Sequence, residues 1–322
     1  MKGRAPNAAA PIALRPPDGT DLSDEPIFVV GTGRCGSTFI QTTLSGTGNV
    51  WVWGEHAGML RGLLQWSQAT RDNPLMQRFV FPFAADDAQA LLSERRNQPG
   101  WEPSWLNSIA PADFDDFERL AIRHFLARRL PPGKTRWGFK EIRYGEDDGV
   151  LERLLALFPR ARLVHVVRHP IDTVESMLSS WKPEDLARAA AGKSSETAMQ
   201  RYHQGVQRWV RVTRRLLALA QEHPAARSFR IEDGEAMLDQ LAEFLQLDPG
   251  SLHEAACRSG IRYGRVRSPA EIAADPAEHL LRQGRAAHGD IAAPLAARLG
   301  YELSVSPRQG NWRPLNSNAA AR

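Results

Sequence analysis

Cysteine is nearly missing from this chain: Cys35 and Cys257 are the only two among 322 residues. Two cysteines cannot build the multi-bridge framework of a small secreted domain, so the fold must be held by its own core. Long apolar runs are missing too. No stretch approaches the roughly 18–20 residues that span a bilayer, and the first residues hold no apolar signal core. The expectation is a soluble, cytoplasmic protein with no transmembrane segment. Lysine is scarce, with five residues among 41 Lys and Arg. The net charge is only +4 and no dense basic run occurs, so nucleic acid is not the expected partner. A small anionic ligand suits this balance better. Arginine carries nearly all the positive charge, and its planar fork suits bidentate phosphate contacts. No internal repeat is seen, and no cluster of His, Cys, Asp or Glu has convincing metal-ligand spacing, so no metal is expected.

What is present begins with length and apolar content. Hydrophobic residues make up 42%, enough for a sizeable core, and 322 residues allow one large α/β domain or two modest ones. The chain is organised around Phe28-Val29-Val30-Gly31-Thr32-Gly33-Arg34-Cys35-Gly36-Ser37-Thr38-Phe39-Ile40. A short apolar run ends in glycines and enters a helix-like pattern. That is the layout of a strand, a phosphate-gripping loop and a helix whose first N–H groups and dipole favour an anion. The loop spells G-x-x-x-x-G-S-T, whereas an ATP-type loop reads G-x-x-x-x-G-K-[ST]. Ser37 stands where that lysine belongs, and the cation Arg34 lies inside the loop. The bland alternative is an ordinary glycine turn. Cys35, near a helix N-terminus, is either a small spacer or a redox-active thiol.

Residues 1–24 read as a disordered arm, 25–305 as the domain with a helical cap insertion at about 57–135, and 306–322 as a polar tail. Strands are expected at Ile27–Val30, Val50–Trp53, Arg136–Ile142, Arg162–Val167 and Ser228–Ile231. Helices are expected at Ser37–Leu44, Ala57–Thr70, Ala85–Arg96, Phe114–Leu130, Gly149–Phe158, Pro170–Ser180, Ser195–Gln221 and Gly234–Leu247, with further helical segments to Leu299. Alternating strands and helices argue for an α/β fold: a parallel β-sheet flanked by helices, with a helical acceptor-binding cap. The stripe Met199, Tyr202, Val206, Trp209, Thr213, Leu216 and Ala220 reads as core. Trp51, Trp53, Trp66, Trp101 and Trp105 either line a pocket or form ordinary core of the cap. His165 alternates with core residues and reads as structural.

A second anion site is suggested by Val166-Val167-Arg168-His169-Pro170. Arg168 directly follows a buried strand, and the carboxyl ends of parallel strands are where α/β sheets bind ligands. An ATP-binding loop protein would carry a magnesium-binding aspartate at the end of such a strand. Ser176, eight residues on, lies in the following helix and can join Arg168 on one phosphate. Taken singly, Arg168 reads as a surface ion pair and Ser176 as a solvated helix position; together with the loop they read as a site.

With both motifs in hand, the chain resembles the sulfotransferase superfamily that uses 3′-phosphoadenosine 5′-phosphosulfate. Gly33, Arg34, Cys35, Gly36, Ser37 and Thr38 are similar to that family's loop for the 5′-phosphosulfate, with Cys35 in place of the common serine. Arg168 and Ser176 resemble its 3′-phosphate pair. Phe229–Asp233 resembles its R-Y-E-D segment with Ile231 in place of tyrosine, and Leu299–Glu302 resembles its usual ending. The resemblance implies a P-loop-like fold, the nucleotide as co-substrate, no metal, and a hydroxyl acceptor that is a carbohydrate, a lipid-linked group or a small molecule. It also implies roles. Lys140, after Trp137-Gly138-Phe139, would join Arg34 in stabilising the leaving phosphate; the bland reading is a surface lysine paired with Glu141. Glu55, in Trp53-Gly54-Glu55-His56, would be the general base, with adjacent His56 as fallback; the bland reading is an ion pair with a cap arginine such as Arg61. The late basic segment of the family resembles either Arg262–Ser268 or Arg308–Trp312. The alternative function is a P-loop kinase-like phosphotransferase without the usual loop lysine.

Overall fold

The computed structural model describes residues 24–78, 107, 109–110, 112–146, 149–191, 193, 195–259 and 277–303. The expected helix at 85–96, the segments 262–268 and 308–312, Trp101, Trp105, the arm before residue 24 and the tail lie outside them.

Five strands form one parallel sheet: β1 (Ile27–Gly31), β2 (Val50–Trp53), β3 (Arg136–Glu141), β4 (Arg162–Val167) and β5 (Ala226–Arg230). Their order is β2-β3-β1-β4-β5. β1 sits in the middle, with Val29 beside Lys140 on one side and beside Val164 on the other. Such strands are nearly all apolar because both faces are covered. The period of two sends Phe28 and Val30 into one core and Ile27 and Val29 into the other.

The first core packs under α2 (Met59–Arg71), α4 (Asp113–Leu126) and α5 (Val150–Leu157), with short α3 (Pro74–Arg78) beside them. The second packs under α1 (Ser37–Ser45), α9 (Gly234–Leu245) and α10 (Pro249–Arg258). A third cluster joins α6 (Pro170–Trp181), α7 (Pro183–Ala190), α8 (Ser195–Glu222) and α11 (Glu278–Arg298). The expected stripe of α8 faces inward: Tyr202, Val206, Trp209, Thr213 and Leu216 are buried, and Met199 and Ala220 pack against the clusters. His165 is fully buried; its Nδ1 lies 2.9 Å from Ser228 Oγ, and burial drives its pKa down to about 3.

Most element bounds differ from the sequence expectation by one or two residues, and two differences have a clear physical reason. β5 starts two residues earlier than expected and ends one earlier, because its register with β4 ends at Arg230 beside Val167 and Ile231 turns off into a short 3₁₀ turn. Helix α4 stops at Leu126, four residues before the expected end. Trp53 Nε1–H donates to the carbonyl oxygen of Leu126, 2.6 Å away, which satisfies one of the carbonyls that a helix end leaves open.

Candidate active site

The candidate residues gather toward the carboxyl edge of the sheet: the loop follows β1, Glu55 follows β2, Lys140 is near the end of β3, and Arg168 follows β4 directly before the helix that carries Ser176. The loop after β1 needs left-handed backbone at Gly33 (φ 82°), Arg34 (φ 52°) and Gly36 (φ 103°). Two of these positions are glycine, which takes such angles without a β-carbon penalty. Gly36 then caps α1, whose first residue, Ser37, is buried while Thr38 is exposed. Cys35 is fully buried against Gly31, and burial pushes its thiol above the ordinary value despite hydrogen bonds that favour the thiolate. The thiol is therefore protonated at neutral pH and acts as a packed spacer in the loop, not as a reactive group.

The two anion motifs meet. Arg34 Nε–H donates to Ser176 Oγ at 3.0 Å, and an Arg168 guanidinium N–H donates to the Arg34 carbonyl oxygen at 3.2 Å. Arg168 follows β4 and Ser176 sits in α6, so the strand-to-helix turn at His169-Pro170 places both against the loop. Pro170 at the first turn of α6 has no N–H to leave unsatisfied.

A second group faces the loop from β2 and β3. Lys140 is buried, only 6% exposed, so the surface-lysine reading fails. Its Nζ donates to Glu55 Oε1 at 2.6 Å, and Arg143 donates to Glu55 Oε2 at 2.8 Å. Burial pulls the Glu55 carboxyl upward, but the hydrogen bonds from Lys140 and Arg143 outweigh it and hold the group below the usual glutamate value. Arg61, the cation expected beside Glu55, donates to the Arg143 carbonyl oxygen. Glu141 is fully buried and does a different task. Its Oε2 accepts the backbone N–H groups of His56 and Gly58, and its Oε1 accepts those of Ile142 and Arg143 together with the Arg143 side chain. That carboxylate sews the segment after β2 to the end of β3, which fixes Glu55 opposite Lys140. His56 turns away: its Nε2 lies 2.7 Å from the Tyr144 hydroxyl, and burial lowers its pKa.

Sequence reasoning missed Arg143 and Glu141 as partners in this site, and it missed Trp181. The ring of Trp181, at the end of α6, lies so close to the loop that a β-carbon on Gly33 would come within 2.8 Å of it and 3.0 Å of Ile142 Cδ1. Trp181 is 42% exposed, so its indole forms part of the wall beside the loop. Of the described tryptophans singled out from sequence, Trp51 and Trp53 lie in β2, where their rings meet edge to face and Trp53 packs against the first core, whereas Trp66 of α2 is exposed and meets Phe117 edge to face.

The two sequence motifs thus lie at one sheet edge. The sequence comparison gives the class: residues 26–248 match the model of the sulfotransferase family (Sulfotransfer_3), and the chain belongs to that family. Among solved structures, the chain is similar to the sulfotransferase domain of the Synechococcus PCC 7002 olefin synthase, with 19% identity, a TM-score of 0.46, and 90% of this chain and 99% of that one covered. It is also similar to the sulfotransferase domain from the curacin biosynthetic pathway, with 18% identity, a TM-score of 0.48, and 88% and 100% covered. Sulfotransferase STF9 from Mycobacterium avium matches at 15% identity and a TM-score of 0.46, with 87% and 78% covered. No curated protein matches the sequence significantly. Among the described residues, no helix is long and apolar enough to cross a membrane.

Proposed function

We propose that the chain moves a sulfuryl group from 3′-phosphoadenosine 5′-phosphosulfate to a hydroxyl of a carbohydrate, lipid-linked or small-molecule acceptor, by in-line transfer without a metal. The observation that carries this reading is the contact of the Arg34 side chain with Ser176, reinforced by Arg168 on the Arg34 carbonyl oxygen. Two anion motifs far apart in sequence share one mouth, as a donor with phosphates at both its 3′ and 5′ positions requires.

In this reading Gly33, Arg34, Cys35, Gly36, Ser37 and Thr38 hold the 5′-phosphosulfate through backbone N–H groups and the Arg34 guanidinium, and Arg168 and Ser176 hold the 3′-phosphate. Lys140 and Arg34 stabilise the charge that grows on the leaving phosphate. Glu55 takes the acceptor proton at a carboxylate oxygen. The acceptor oxygen bonds to sulfur as the sulfur–oxygen bond to phosphate breaks, and that electron pair stays with the phosphate. The Lys140–Glu55 ion pair links the two roles. As the lysine turns toward the leaving phosphate, Glu55 loses a counter-ion and becomes more basic. A kinase-like reading would ask a strand-end carboxylate to hold magnesium, but Glu141 already spends both oxygens on backbone N–H groups.

Titration calorimetry in buffer containing a chelator tests the donor. Affinity for 3′-phosphoadenosine 5′-phosphate should exceed that for adenosine 5′-phosphate by about 10–100-fold, the effect of one charge-assisted contact. Arg168→Ala should remove most of that preference while leaving the melting temperature unchanged. Equal affinities in the wild type would sink the reading. Incubation with radiolabelled donor and a panel of hydroxyl compounds then identifies the acceptor class.

A further inference from the structure

The backbone at Arg168 and His169 is gripped from two sides by groups that have no place in the reaction just described. Trp209 Nε1–H, on α8, donates to the Arg168 carbonyl oxygen at 3.0 Å. On the other side, the His169 N–H donates to Glu232 Oε1 at 2.7 Å. Glu232 lies in the turn after β5, and its second oxygen accepts the Tyr301 hydroxyl at 2.8 Å. Tyr301 is buried just beyond the C-terminal helix. Its ring meets the His169 ring edge to face, with centroids 5.3 Å apart, and the Arg230 guanidinium lies 4.5 Å above it. The His169 Nε2–H donates to the neighbouring Glu302 carbonyl oxygen at 3.1 Å. The sequence patterns Phe229–Asp233 and Leu299–Glu302, which the reaction leaves unused, are thus two halves of one contact.

The same C-terminal helix touches α6 at a second point. Arg285 donates to Glu175 Oε1 at 2.6 Å and to Glu278 Oε1 at 2.6 Å. Glu175 immediately precedes Ser176, and Arg285 is buried between α6 and its own helix. Both Arg285 and Tyr301 fall outside residues 26–248, the part matched by the family.

We propose that the C-terminal segment Glu278–Glu302 is a brace for the 3′-phosphate site, in which Tyr301, through Glu232, holds the Arg168–His169 backbone and Arg285, through Glu175, holds the turn of α6 that carries Ser176. The inference rests on the donor reading above for what the site binds. Tyr301, Glu232, Arg285 and Glu175 are positioning residues: they touch no donor atom and act through the backbone of those that do. Their effect therefore falls on the 3′-phosphate alone.

The test is again the pair of nucleotides, 3′-phosphoadenosine 5′-phosphate and adenosine 5′-phosphate. Tyr301→Phe keeps the ring and removes the hydroxyl. It should weaken the first nucleotide about fivefold, the effect of one net hydrogen bond, and leave the second unchanged. Glu232→Gln still offers an oxygen to the His169 N–H and should retain most of the preference, whereas Glu232→Ala should lose it. Equal weakening of both nucleotides, or an unchanged ratio in Tyr301→Phe and Glu232→Ala, overturns the brace. Amide hydrogen exchange on the ligand-free protein reads the brace independently of any nucleotide. Exchange at His169 should quicken in Tyr301→Phe by about the same fivefold factor. Unchanged exchange overturns the brace even if the donor reading stands. If the wild type binds both nucleotides equally, the ratio in the variants decides nothing about the brace: the donor reading is overturned, and faster exchange then supports only the hold on the Arg168–His169 backbone, without a 3′-phosphate role.

Discussion

Glu55 holds two cations at once, and this decides how it can serve as a base. Lys140 and Arg143 each take one of its oxygens, so the carboxyl stays ionised at neutral pH. It accepts a proton readily only when one cation is drawn elsewhere, which in the proposed reaction is Lys140. Glu55→Gln keeps the shape and removes the basicity. Turnover, measured with an acceptor from the radiolabelled screen, should fall about 10²–10⁴-fold. Affinity for 3′-phosphoadenosine 5′-phosphate should stay near wild type. Because burial is outweighed by hydrogen bonds from Lys140 and Arg143 that hold the folded carboxyl below its ordinary value, the acid limb of kcat/KM should lie below that of an ordinary glutamate. A variant that melts earlier but turns over normally per folded molecule would mean that Glu55 only ties the segment after β2 to β3. The family resemblance, carried by Trp53-Gly54-Glu55-His56 and by Lys140 after Trp137-Gly138-Phe139, made Glu55 and Lys140 candidates in the sequence. Their mutual contact was not visible, because it spans 85 positions and depends on β2 and β3 lying side by side. Glu141 entered the sequence reading only as a partner for a surface Lys140, because the His56 and Gly58 N–H groups it accepts come from another strand's exit.

At the scale of elements, the loop after β1 and α6 are locked together by a glycine and a tryptophan. Gly33 has a left-handed backbone, and the Trp181 ring and Ile142 close over it. Gly33→Ala therefore meets two obstacles. The left-handed angle costs roughly 1–2 kcal/mol for a residue with a β-carbon. The added carbon also presses on the indole. Urea unfolding of Gly33→Ala, Trp181→Ala and the double variant separates the two. The double variant should be more stable than the sum of the singles implies, because removing the indole relieves the clash and leaves only the backbone strain. Strict additivity would mean that the indole simply swings away. The elements themselves were largely legible. β2, β4 and the start of α8 fall where hydrophobic runs and periodicity put them. Three short helices were not named from sequence, α3, α7 and α10. α10 carried a readable start signal, since Asp248 caps it by accepting the Ser251 N–H at 2.7 Å and Pro249 follows. Its ten residues were too few for periodicity to stand out.

Across the whole molecule, the C-terminal helix α11 closes the third core, and it does so around a buried acid. Leu280, Leu281, Ala292 and Leu295 pack against Val174 and Leu178 of α6 and against Tyr202 and Trp209 of α8. Inside that apolar contact lies Glu175. Burial pushes its carboxyl up to about 7, against the pull of Arg285. Asp172 on its own helix and Glu278 on α11 add to the upward push, and the Tyr202 ring from α8 borders the same group. This arrangement could not be read from sequence, because the weak amphipathic pattern of α11 does not say which helix it covers. It does set a pH dependence. Below the ordinary value of 4.5 the carboxyl is protonated in both folded and unfolded chains, so stability does not vary with pH through this group there. As pH rises toward 7, the unfolded chain releases the proton while the folded chain keeps it. Stability contributed by this group is therefore fully present at low pH and is lost as pH climbs through the folded value. Glu175→Gln cannot ionise and should remove that loss. The unfolding free energy of wild type minus that of Glu175→Gln, followed by urea titration, should decline between about pH 4.5 and 7 and then level off. A difference that grows over the same interval would mean that the charge of Arg285 overrides burial and that Glu175 is ionised in the folded chain throughout.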